Sequence, residues 1–183
     1  MALATVAEVQ GMLGITDDLD GRLPGLADTA SSLIEEYLNR RLVKQEHTQQ
    51  CTGGGQILYL SAFPVESVTS VTREGEPLGD WFPDREYGIL IRKAGWPLVW
   101  PGYQVIYTGG YEPSAIPLPI KQACALLAIS LNDSLTHAGQ KVASETIGDY
   151  RVTYATDASR GKGVEALSPV AANLLKPYRR ITF

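Results

Sequence analysis

The chain is poor in the residues that most often do chemistry. It has two cysteines and two histidines in 183 residues. Cys51 and Cys124 lie far apart, and Cys124 sits in an apolar helical run where it reads as a small buried hydrophobe. A disulfide scaffold is not expected, and the usage fits a reducing compartment. Neither His47 nor His137 has a second His, Cys or acid at metal-ligand spacing. Positive charge is also scarce. Sixteen Lys and Arg against twenty Asp and Glu leave a net −4 at pH 7, the wrong sign for a general phosphate-binding surface. No apolar run approaches the ~20 residues that span a bilayer. The opening MALATVAEVQ has no basic stretch followed by a long apolar one, so no signal peptide is expected.

The usual catalytic and ligand-binding patterns are missing as well. Gly53-Gly54-Gly55 is followed by no Lys-Ser/Thr and no helix start, so it reads as a plain turn and not a phosphate loop. Asp17-Asp18-Leu19-Asp20 lacks the central glycine and closing glutamate of a calcium loop, and suits the start of a helix instead. No Gly-x-Ser-x-Gly elbow occurs. These readings point to no enzyme, no metal and no cofactor.

What remains is ordinary globular material, 44% hydrophobic, enough for one fair-sized core or a core plus a small subdomain. Thr5-Val6-Ala7-Glu8 matches a capping box, and Gly14 is a natural stop for the short helix that follows. Leu26, Ala30, Leu33, Ile34, Tyr37 and Leu38 recur at helical steps, with Asp28, Ser31, Glu35, Glu36, Asn39 and Arg40 mostly on the other face. Pro24 leaves the first turns of that helix ambiguous. From about Val43 to Glu112 the period changes. QILYL, VESVTSV, YGILI and YQVIYTG are short β-rich runs separated by glycine and proline turns, which predicts an inserted antiparallel β subdomain over 43–112. Tyr59, Phe63, Trp81, Phe82, Trp96 and Trp100 supply its core and rim.

Pro117 and Pro119 then start a helix through IKQACALLAISLNDSL that is apolar nearly all round and so needs neighbours on several sides. Val142 to Ile147 and Tyr150 to Ala155, around Gly148-Asp149, read as a β-hairpin with Ile147, Tyr150, Val152 and Tyr154 as its apolar or aromatic positions. An isolated two-stranded hairpin is marginal in water, so it wants a partner. Residues 156–166 are small, polar and glycine-rich and read as a mobile loop. Ser168-Pro169 caps a last helix, stopped by Pro177. Arg160, Lys162, Arg179 and Arg180 make this end locally basic, either as solvated charge or as a docking site for an acidic partner. Ile181 and Phe183 either trail free with that site or tuck back onto the β subdomain.

SSLIEEYLNRRL, LSAFPVESVTSV, VIYTGGYEPSAIPLPIKQACALLA, SETIGDYRVTYA and LSPVAANLLKPYRR, in this order, resemble the head–tail connector (adaptor) proteins of tailed bacteriophages and gene transfer agents. The resemblance implies one connector domain over 1–183. Its fold is α+β, with a helical bundle-like core, the inserted β subdomain and the hairpin of the C-terminal half. It also implies a ring of copies, dodecameric when assembled, below the portal protein. Such a ring extends the DNA channel, lets DNA pass without specific binding, and docks a stopper or tail protein. The place implied is the virion head–tail interface, after assembly in the host bacterial cytoplasm, with no membrane contact. The subunit interface falls to Ile147, Tyr150, Val152 and Tyr154, and partner docking to Arg160, Lys162, Arg179 and Arg180. A different small virion module, such as a tail-completion protein, or an enzyme with a scattered site, are the alternatives.

Overall fold

The computed structural model describes residues 2–16, 21–136, 144–147, 150–153 and 163–180. The elements run α1 (Val6–Leu13), α2 (Leu23–Leu38), β1 (Gln45–Cys51), β2 (Gly55–Tyr59), β3 (Val65–Arg73), β4 (Glu76–Pro77), β5 (Trp81–Asp84), β6 (Ile89–Trp96), β7 (Tyr103–Gly109), α3 (Leu118–Thr136), β8 (Ser144–Ile147), β9 (Tyr150–Thr153), α4 (Val164–Leu167) and α5 (Pro169–Leu175). The fold is α+β, and it divides into two compact units. Leu38–Pro117 with Arg179 and Arg180 form the β unit, and Ala2–Tyr37 with the described part of Leu118–Tyr178 form the helical unit.

In the β unit, one antiparallel sheet has the order β1-β7-β3-β4 and a second has the order β2-β6-β5. Strand β7 is central and alternates strictly, with Tyr103, Val105 and Tyr107 buried. With Leu58, Leu60, Ala62, Val71, Leu90 and Trp96 they make one apolar cluster. Each fully buried aliphatic side chain there contributes roughly 1.5–3 kcal/mol. The Trp96 ring meets Tyr103 edge-on at 5.1 Å, and its indole N–H donates to the Leu90 carbonyl (3.3 Å). The Tyr107 phenol sits at a closed junction. It accepts from the Ala62 N–H (3.0 Å) and donates to Gln49 Oε1 (3.0 Å), which also accepts from the Ser61 N–H (2.8 Å).

Strands β1 and β5 are absent from the list of β-rich runs above. In β1 the inward positions are His47, Gln49 and Cys51, so no apolar alternation marks it. His47 stacks on Tyr107 at 5.4 Å, a packing role. In β5, Pro83 breaks the strand signal, yet β5 is an edge strand, where a missing N–H is tolerated. Glu74 and Gly75 both have positive φ (52° and 87°) and turn β3 into β4. Gly53 belongs to a turn as expected, and a Cβ there would strike the Pro97 and Trp96 carbonyl oxygens.

Gly110 ends β7 with φ 109°, and a Cβ on it would lie 2.7 Å from the Val43 carbonyl carbon. The close approach lets the Leu42–Lys44 segment run beside the strand end. The Tyr111 N–H donates to the Leu42 carbonyl (2.6 Å), and the Lys44 N–H to the Tyr111 carbonyl (2.9 Å).

The helical unit begins as the capping box predicts. Thr5 Oγ1 accepts from the Glu8 N–H, Glu8 Oε2 accepts from the Thr5 N–H, and Gly14 closes α1 at φ 65°. Helix α2 starts at Leu23 with Pro24 in its first turn, where a missing N–H costs nothing. Ser31 and Arg40 depart from the polar face expected for them, because both are buried. Ser31 Oγ is satisfied locally, donating to the Ala27 carbonyl (2.7 Å) and accepting from the Leu3 N–H (2.9 Å). Helix α3 buries Ile120, Ala123, Cys124, Leu127 and Ala128 and packs against α1 and α5. It also buries Lys121, whose ammonium reaches Glu8 Oε1 at 2.6 Å. Ser168 caps α5, accepting from the Ala171 N–H. The stretch expected as loop through 166 is partly helical, since α4 spans Val164–Leu167 and buries Val164. Burial of Val164 outweighs the weak local signal.

Two outcomes follow. Tyr107→Phe leaves the Ala62 N–H without its acceptor and Gln49 Oε1 with the Ser61 N–H alone, so melting should show a loss of about 1–3 kcal/mol; an unchanged midpoint would mean water replaces the phenol. The second concerns Glu8, whose carboxyl is held below its ordinary 4.5, chiefly by the hydrogen bond from Lys121 and then by the Thr5 N–H. A lowered folded-state pKa gives stability that is complete above the unfolded value and is lost as pH falls through the folded one. The melting advantage of the wild type over Glu8→Gln should therefore be largest near neutrality and shrink below about pH 4.5. An advantage that grows in acid would contradict this linkage.

Candidate docking surfaces

The geometry offers surfaces for assembly. Among the described residues, no group of three or more His, Cys, Asp or Glu is placed to hold a metal ion, and no helix is long and apolar enough to cross a membrane. Both thiols are buried and pushed up in pKa by that burial, Cys51 to about 11, which makes them poor nucleophiles.

The hairpin is present at the backbone level. Strand β8 pairs with β9 in the register Ile147↔Tyr150 and Glu145↔Val152, and among the described residues the two strands pair only with each other. Gly148, Asp149 and Tyr154 lie outside the described residues, as do Asp17, Asp18, Asp20, His137, Arg160, Lys162, Ile181 and Phe183.

The two C-terminal arginines differ. Arg179 is exposed. Arg180 is half-buried in the β unit: its backbone N–H donates to the Leu38 carbonyl (3.0 Å) and its guanidinium to the Leu60 carbonyl. The guanidinium also lies 5.0 Å from the Tyr59 ring centroid and 5.4 Å from that of Phe63. Arg40 uses the same aromatic, 3.3 Å above Phe63, and donates to the Phe63 carbonyl. Desolvation pulls both guanidinium pKa values below the usual arginine range. Arg180 thus ties back to the β unit, its guanidinium donating to a carbonyl 120 positions earlier, a contact that no local pattern announces.

Sequence reasoning also missed where the apolar surface lies. Ile57, Ile91 and Phe82 stand directly opposite one another across β2, β6 and β5, and all three are exposed. Leu98 and Trp100 project from the β6–β7 loop, and Trp100 is 93% exposed. In the helical unit, Met12, Leu13, Leu126, Val170 and Leu174 line an open groove of about 380 Å³.

Solved structures of gene transfer agent (GTA) particles contain chains that share this fold over nearly their whole length. The neck of an empty GTA particle computed with C6 symmetry matches with a TM-score of 0.60 and 20% identity over 99% of this chain and 91% of that one. The neck of a native GTA particle computed with C12 symmetry matches at 0.57 and 18% over 100% and 96%. A chain of the virion of a native gene transfer agent particle matches at 0.61 and 22% over 99% and 91%. No curated protein matches. The fold is thus of a class found in the necks of GTA particles. The chain belongs to the head completion protein family, whose model matches residues 2–181 and so spans both units.

Arg180→Ala should lower stability by about 1–3 kcal/mol through the lost carbonyl contact and ring packing, and Arg179→Ala should stay within about 0.5 kcal/mol. Thermal melting of the two variants checks the assignment, and equal effects would contradict it.

Proposed function

We propose that this chain is a head–tail connector, forming a ring below the portal that extends the DNA channel and presents a surface to a stopper or tail. The observation behind this reading is the full-length match to the head completion family together with a neck-type fold. The chemistry agrees with it: buried thiols, no gathered metal ligands among the described residues, and apolar side chains left at the surface. A net charge of −4 suits a channel lining through which DNA slides, because few cations are available to hold phosphates. The virion is its working place on this reading.

Within the ring, the β8–β9 hairpin is proposed to meet a neighbouring subunit through Ile147, Tyr150, Val152 and Tyr154. Among the described residues the two strands pair only with each other, an arrangement that suits strand addition by a neighbour. Arg160, Lys162 and Arg179 are proposed for an acidic portal surface, since a guanidinium can hold a carboxylate with two parallel hydrogen bonds. Arg180 belongs to the same proposed set, although its guanidinium already donates to the Leu60 carbonyl.

Mixing the chain with the portal protein of the same particle and imaging the product should give a closed ring of copies stacked on the portal. A single bound copy, a two-fold dimer or no binding would overturn the connector reading.

A further inference from the structure

We propose that the β6–β7 loop of one copy docks, through Leu98 and Trp100, into the α1–α3–α5 groove of the next copy. The proposal rests on the ring reading and deepens it by naming the two unlike surfaces in contact.

The loop is built to present these side chains. Leu98 and Trp100 are 74% and 93% exposed, and Val99 between them packs inward on the core cluster of the β unit. Its base is fixed at several points. The Tyr103 phenol donates to the Pro97 carbonyl (2.9 Å), and the Gly54 N–H donates to the Trp96 carbonyl (2.7 Å). Gly102, at φ 91°, sits where a Cβ would be 2.6 Å from the Cys51 carbonyl oxygen. Little conformational freedom is left at the base to lose on binding, which favours docking. A tryptophan buries roughly 150–250 Å² when covered, and tryptophan is enriched among the residues that dominate interface energy.

The groove offers the matching chemistry. Met12 and Leu13 come from α1, Leu126 from α3, and Val170 and Leu174 from α5. No charged residue lines it, and its polar member is Gln122. Its volume of about 380 Å³ lies in the range of pockets that enclose ring-sized apolar groups. A buried indole N–H needs an acceptor, and the Gln122 amide oxygen is the side-chain acceptor in the lining.

The occupant is a second copy because knob and groove are both features of this chain and, among the described residues, Trp100 stands exposed. A contact between unlike patches repeats from copy to copy and closes when the rotation allows. The matching necks were computed with sixfold and twelvefold symmetry. One such contact falls short of the ~1,200 Å² of a stable interface, so it is weak between free copies and gains strength when copies are aligned.

Two variants test this by complementation. Trp100→Ser removes the knob and Val170→Asp puts a charge in the groove; both positions are exposed, so the fold should persist. Leu98→Ser is a second knob variant that keeps the tryptophan. Sedimentation and ¹H–¹⁵N spectra are recorded up to millimolar concentration. Wild type should self-associate with a concentration-dependent shift of the Trp100 indole N–H. Each variant alone should associate at least about tenfold more weakly. An equimolar mixture of Trp100→Ser and Val170→Asp should recover one contact and stop at a heterodimer. An unshifted indole signal in the wild type at every concentration overturns the proposal, as does one that shifts only when portal is added. A mixture no stronger than its components also overturns it. Trp100→Ser closing rings on the portal as wild type does overturns the knob assignment while leaving the connector reading intact; loss of all portal binding by wild type is the failure of that reading instead.

Discussion

Strand β7 is paired on both edges, with β1 on one side and β3 on the other, and much of the β unit follows from that constraint. A strand with no free edge cannot slip by one residue without exposing Tyr103, Val105 and Tyr107 and burying Gln104 and Thr108. The fixed register places the Tyr107 phenol where the Ala62 N–H and Gln49 need it. It also places Gly109 and Gly110 where the chain must pass close to other backbone. The Gly109 position faces the Ala62 carbonyl oxygen and Gly110 faces Val43, so a side chain at either would collide with backbone that cannot move aside.

The chain's return at Arg180 builds on this frame. Arg180 binds the carbonyls of Leu38 and Leu60, so the end of α2, the segment after β2 and the C-terminal residues are tied within one unit. Arg40 reinforces the same region by lying on Phe63. Guanidinium groups suit this because they are more weakly hydrated than an ammonium and stack on aromatic faces. Desolvation on burial lowers both guanidinium pKa values below the usual arginine range.

The surface is organised by a different balance. A structural protein that assembles must stay folded alone yet hold apolar area in reserve. Here the reserve is split between a fixed loop with Leu98 and Trp100, an apolar row on the second sheet, and a groove between helices. The Lys121–Glu8 pair shows the opposite choice: a charge inside the helical unit is matched at 2.6 Å.

The sequence by itself determined the local events. The Thr5–Glu8 box, the Gly14 stop, the Ser168 cap and the apolar faces of α2 and α3 depend on residues three or four apart, and spacing alone reveals such contacts. The glycines and β-rich runs between 43 and 112 likewise announced a region of strands. Tertiary structure decided the rest, because it depends on partners distant in the chain. Strand β1 exists because β7 pairs with it, although its inward positions are His47, Gln49 and Cys51. Arg40 is buried because Phe63 offers it a face, and Arg180 because Leu60 offers a carbonyl. Of the tryptophans, Trp96 is core and Trp100 is surface, four residues apart in similar company, because only the first faces Leu90 and Tyr103. Local sequence states what a residue can bury; the packing of distant strands decides whether it does.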